Sequence, residues 1–228
     1  MRLPVYFSGV RSYFAVTTAL AVLLLVVLLR SDSADAAAEA TVLLELLTPL
    51  PLLLISAGLL QSDPALSLIA TRPVPLGHLL LARWALAITG VLIVPSGAHL
   101  VTAFVNPEVS LSVLTWLAPA AFLSALAITA AAVTANTAAG IGTAIGYWAA
   151  SLLLTPMLQD TCTSSLPAVC TAAVWSSAYS LLAPAGPGWE INRIGLLLGT
   201  LALLLIATYT YRNPERQVRA TTAQEATA

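Results

Sequence analysis

Ser96 and His99 stand three residues apart, a spacing that puts a hydroxyl and an imidazole on one face of a helix, as a serine hydrolase would need. The rest of that chemistry is missing. The chain has no Gly-x-Ser-x-Gly elbow, no His-Glu-x-x-His pair and no clustered carboxylates. Pro95-Ser96-Gly97 reads instead as a kink whose hydroxyl satisfies backbone groups that the proline frees. A phosphate-binding loop is excluded as well, because it needs a lysine to reach the β- and γ-phosphates and all nine basic residues are arginine. Cys162 and Cys170 are too few for a disulfide scaffold or a common four-ligand zinc site. Close together in one loop on an oxidising side of a membrane, they either pin that loop with a disulfide or remain two thiols. Glu45, Arg83 and Arg193 each fall within a turn or two of the end of an apolar stretch, which leaves His99 as the one other titratable group inside such a stretch. That is a poor inventory for a proton- or sodium-driven carrier. No catalytic, cofactor-binding or metal-binding residue is expected, and the chain does not read as an enzyme.

The elements that would position these residues follow from composition. Hydrophobic residues make up 59% of the chain and charged residues 8%, against roughly 25% charged in a soluble domain. Too little polar surface remains to cover a water-soluble core, which excludes a soluble enzyme, a nucleic-acid binder and a disordered chain. A net charge of −1 offers nothing to a polyanionic partner. An all-α, polytopic membrane protein is the fold class expected.

Charges fence off the crossings, each of which needs roughly 20 apolar residues. Arg11 and Arg30 bracket a first span over 12–29. The polar patch Ser31-Asp32-Ser33-Ala34-Asp35 precedes a second over 41–60, with Glu45 one turn inside its start, and a third over 79–100 carries Arg83 near its first turn. No charge occurs between Glu108 and Asp160, which leaves room for spans over 112–135 and 138–157, separated by Asn136-Thr137 and Gly140. The sixth, over 191–211, closes at Arg212-Asn213-Pro214 and is followed by a polar tail over 212–228. Residues 158–190 form an extracytoplasmic loop. Its apolar centre over 168–183 is a turn short of a crossing, so a re-entrant or surface-lying helix is expected before span six. Six spans put both termini in the cytoplasm with Arg2, Arg11, Arg72, Arg83, Arg212, Arg216 and Arg219, and leave Arg30 and Arg193 outside, as the positive-inside rule asks. The N-terminal apolar run is long for a signal peptide, and Asp35 interrupts its cleavage-like Ala34-Asp35-Ala36, so it is read as a retained span. Gly142-x-x-x-Gly146 and Gly195-x-x-x-Gly199 predict close helix packing within one subunit.

The segment over 61–78, between spans two and three, is the most informative. Asp63-Pro64 is an N-cap followed by proline at the first helical position. Ala65 to Thr71 then makes one to two turns, with Leu66, Ile69 and Leu68 on an apolar edge. Arg72-Pro73-Val74-Pro75 must be extended, because proline disfavours helix in the residue before it. Leu76 to Arg83 restarts a helix that enters the membrane. A short, capped, amphipathic cytoplasmic helix between rigid breakers is something a partner protein can grip.

These residues, Leu66-Ser67-Leu68-Ile69-Ala70-Thr71-Arg72-Pro73-Val74-Pro75-Leu76-Gly77-His78-Leu79-Leu80-Leu81-Ala82-Arg83, resemble the permease subunit of ABC-2-type ATP-binding-cassette exporters. The likeness lies in a leucine-rich helix, a T-x-P-V break and a polar stretch leading into the third span, together with the six-span plan and the excursion before the last span. One departure is Ser62-Asp63-Pro64, where the family often has a glutamate and a glycine. The resemblance implies a bacterial cytoplasmic (plasma) membrane protein embedded in lipid. It implies pairing with a second permease subunit, identical or paralogous, and docking of a separate ATPase subunit that binds the ATP. Asp63, Leu66, Leu68, Ile69 and Arg72 would then form the ATPase-coupling helix. The competing expectation is a carrier or channel that works without an ATPase, for which only Glu45, Asn136, His99 and scattered Ser and Thr side chains offer a polar path.

Overall fold

Ala135 marks the break in the long uncharged run. Its backbone turns left-handed there (φ 53°), and its N–H closes the preceding helix by donating to the Ala131 carbonyl. Asn136 then starts the next helix: its Oδ1 accepts from the amides of Ala138 at 2.8 Å and Ala139 at 3.3 Å, the job of an N-cap residue. The computed structural model describes residues 45–46, 48–60, 76–105, 112–162 and 189–212. Among them the helices are α1 (Pro49–Ala57), α2 (Leu76–Val105), α3 (Leu114–Thr134), α4 (Thr137–Cys162) and α5 (Trp189–Thr210); residues 45–46 are also helical. Everything regular among the described residues is helical.

Three helices are long and apolar enough to cross a membrane: 76–97 within α2, then α3 and α5. Together with bare apolar side chains such as Phe104, Leu86 and Ile93 on α2 and Leu201 and Leu205 on α5, they indicate a multi-pass membrane protein, since water would not tolerate so large an apolar exterior. The observed ends differ from the expected ones. Helix α2 starts at Leu76 and continues through Pro95 to Val105, so the proline does not stop it. Its 30 residues extend about 45 Å. Helix α4 runs on to Cys162, into the stretch expected to be loop. Among the described residues of the expected second span, the longest continuous helix is the nine residues of α1, begun by Pro49 and Pro51, which suit a first turn where amide donors are not needed. The expected first span, residues 61–75 of the coupling segment and residues 163–188 lie outside the described residues.

Helix α3 is the axis, and the other four all pack on it. Its buried face is mostly small: Ala118, Ala120, Ala121, Ala125, Ala127, Ala131 and Ala132. Small side chains let neighbouring backbones approach, which is how helices gain contact in a solvent as oily as themselves. The closest approach is at Gly140 of α4, where an added Cβ would stand 2.5 Å from the Ala127 carbonyl oxygen and 2.7 Å from the Ala131 Cβ. Gly140 is thus a packing residue inside α4 and not a break. Gly199 of α5 leaves room for the Phe122 ring. Gly142 and Gly146 meet nothing within 4 Å among the described residues, so the expected packing role of that pair belongs instead to Gly140 and Ala144, one face round.

The contacts also fix helix directions. Leu53 and Ala57 of α1 meet Leu123 and Ala127, and Phe122 and Thr129 of α3 meet Gly199 and Leu203 of α5, so α1, α3 and α5 run parallel. Helices α2 and α4 run against them: Leu80 packs beside Ile128 and Ala132 while Val91 packs beside Ala120, and Gly140 meets Ala131 while Tyr147 meets Phe122. Leu60, Leu76, Ala132 and Tyr211 therefore gather at one end of the bundle. The starts of α3 and α5, with Glu45, lie at the other.

Candidate functional site: a buried ion pair at one end of the bundle

Hydroxyls inside the helices are mostly spent locally. Thr89, Thr134, Thr143, Thr200 and Thr210 each donate to the carbonyl four residues back, the usual way to hide a hydroxyl in an apolar setting. Two hydroxyls among the described residues also take part in contacts between helices. Trp84 Nε1 donates to Ser124 Oγ at 2.9 Å, which itself donates to the Ala121 carbonyl, tying α2 to α3. Thr129 Oγ1 lies 2.7 Å from the Ala125 carbonyl and 2.9 Å from that of Leu203, tying α3 to α5.

The end where α3 and α5 begin is different in kind. Arg193, on the first turns of α5, is fully buried and donates from Nη2 to Oε1 of the equally buried Glu45. Long helical side chains lean toward the N-terminus, and the guanidinium accordingly lies over the Trp189 ring one turn back, 5.3 Å from its centroid. Buried around the same end are Thr48, one turn beyond Glu45, Thr115 and Trp116 at the start of α3, and Asn192 beside the arginine. Nε and Nη1 of Arg193, Nε1 of Trp116 and the hydroxyls of Thr48 and Thr115 have no hydrogen-bond partner among the described residues. An arginine presents five N–H donors, and leaving some unmade in a dry site is costly.

Helices α1 and α5 both pack on α3 but are not packed neighbours of one another. The ion pair therefore joins the residues just before α1 directly to α5, two elements whose main packing is on α3. At the opposite end the arginines are less enclosed. Arg83 Nη1 donates to the Leu59 carbonyl at 2.8 Å, and exposed Arg212 lies 5.5 Å from the Tyr209 ring centroid.

Asp63, Leu66, Leu68, Ile69, Arg72 and Cys170 lie outside the described residues; Cys162 is the last residue of α4. Ser96 and His99 both fall on α2. No group of three or more His, Cys, Asp or Glu side chains suited to a metal ion occurs among the described residues. Reading the sequence placed Glu45 and Arg193 near span ends without joining them. The signal was there: opposite charges at the same expected depth, on spans two and six. No protein-family model matches the chain, and no curated protein or solved structure is similar to it. Function is argued from its own residues.

Proposed function

We propose that the chain is the membrane-spanning permease subunit of an ABC-2-type ATP-binding-cassette exporter, which moves its substrate outward with energy from ATP hydrolysed on a separate subunit. One observation carries the reading beside the resemblance of residues 66–83. Leu60 and Leu76, the residues that flank the 61–75 segment, lie together in one apolar cluster, at the end that also bears Arg83 and Arg212. The two residues on either side of that segment thus stand at the arginine-rich end, which the positive-inside rule assigns to the cytoplasm. A partner ATPase would meet Asp63, Leu66, Leu68, Ile69 and Arg72 at that place. The alternating helix directions support six crossings, with α4 as the fifth, both termini in the cytoplasm, and 163–188 leaving and returning on the outer side.

In this mechanism the ATPase subunits close on ATP and push the coupling helix. Arg83, which grips the Leu59 carbonyl, joins spans two and three at that point so that they move together. A second permease subunit, identical or paralogous, completes the pathway.

The test is pull-down. Solubilised protein should co-purify with an ATPase encoded beside it, and Leu66→Glu or Ile69→Glu should abolish this while the membrane part keeps its elution volume and helical signal. Unchanged co-purification by both variants would overturn the coupling role.

A further inference from the structure

The Glu45–Arg193 pair is an odd structural staple. It is fully enclosed, yet one bond between the two side chains leaves Nε and Nη1 of the arginine unmet, at the end of the bundle that also holds the unmet hydroxyls of Thr48 and Thr115 and the Trp116 indole N–H. A pair kept only for stability would be expected to have its remaining donors satisfied. Parting of α5 from the residues just before α1 would expose the charged pair to water, which can meet the free donors of the arginine. The closed state thus gains the ion pair and the Trp189 contact and loses several hydrogen bonds, whereas the open state reverses both. Each state thus keeps contacts that the other gives up, and a gate needs two such alternative states. The far end has no such balance: Leu60, Leu80, Ile128, Ala132, Leu204, Ala207 and Tyr211 close it with apolar contact, and Thr129 pins α3 to α5 midway.

We propose that Glu45 and Arg193 form a latch that holds the α1 and α5 ends of the bundle together and opens locally to water while the opposite end stays packed. Its assignment to the extracytoplasmic face rests on the topology proposed above; its existence as a latch does not. Opening there would release substrate outward, and re-pairing would reseal the path behind it.

Thr48 supplies the reporter, because it is buried, stands one turn from Glu45, and has a hydroxyl with no partner to lose. In a Cys162→Ser, Cys170→Ser background, Thr48→Cys is labelled with a membrane-impermeant charged maleimide, on intact cells and on inverted vesicles. Glu45→Gln should raise the labelling rate at least about tenfold, the factor that corresponds to ~1.4 kcal/mol of lost closure. Glu45→Asp, which keeps the charge but shortens its reach, should fall between, and the exchange Glu45→Arg with Arg193→Glu should return toward the parent rate. Hydrogen exchange on the same proteins should increase over 189–193 and 112–116 and stay unchanged over 76–80 and 204–211. An unchanged labelling rate in both Glu45 variants, or exchange rising equally at both ends, would overturn the latch. A gain seen only in inverted vesicles would leave the latch standing and overturn the proposed topology.

Discussion

A single arginine sets the strongest residue-scale expectation. Inserting Arg193 into an apolar layer costs ~2.5–3.5 kcal/mol on insertion scales, and Glu45 is what makes its burial tolerable. Removing one partner strands the other, at about 3–5 kcal/mol for a buried pair. Arg193→Gln and Glu45→Gln should each markedly lower the thermal midpoint of the solubilised protein. The double variant should be less harmful than the sum of the two, and additive melts would mean that the pair is not coupled. A milder change tests the other bridge: Trp84→Phe removes the donor to Ser124 at a cost of about 1 kcal/mol, read from the same melts. The charge fence makes these residues conspicuous in the sequence alone. What it could not give was who meets whom, because pairing depends on which helices share an axis, and apolar runs carry almost no directional pattern when both lipid and protein accept them.

Among the helices, contact is governed by where glycine and alanine fall. Gly140→Ala would drive a methyl group into backbone, since the atom 2.5 Å away is a carbonyl oxygen of α3. The two helices must separate, which should cost about 1–3 kcal/mol as overpacking does. Gly146→Ala meets open space among the described residues and should change stability little or raise it, through up to ~1 kcal/mol of helix propensity. Comparing the two thermal midpoints checks both; equal losses would refute the packing assignment. Sequence spacing had pointed to Gly142 and Gly146, which satisfy the four-residue rule as well as Gly140 and Ala144 do. Four-residue periodicity says that a face is small, and only the partner helix decides which small face is used. The α3–α4 break was more legible, because Asn136 is a capping residue in the middle of an apolar run, and capping is local chemistry. Helix ends without such chemistry, as at Val105 and Cys162, ran past their expected stops.

For the molecule as a whole, composition alone indicated a helical membrane protein, and alternation of helix directions was implicit in the placement of arginines. A cysteine-free chain carrying one cysteine at position 71 should label only after the membrane is permeabilised, and one at position 108 should label on intact cells. Reversal of that pattern would overturn the orientation. The hub arrangement carries a further implication for how the chain tolerates change. Because α3 is a thin spindle of alanine, touched on its sides by α1, α2, α4 and α5, enlarging one of its methyls wedges several neighbours apart at once. Enlarging Leu198 or Leu201, both bare, disturbs none. A saturation scan read by expression level should therefore condense into one intolerant band over 118–132, flanked by long permissive stretches, so that the lineage's room to drift lies on the rim while the spindle is held nearly constant.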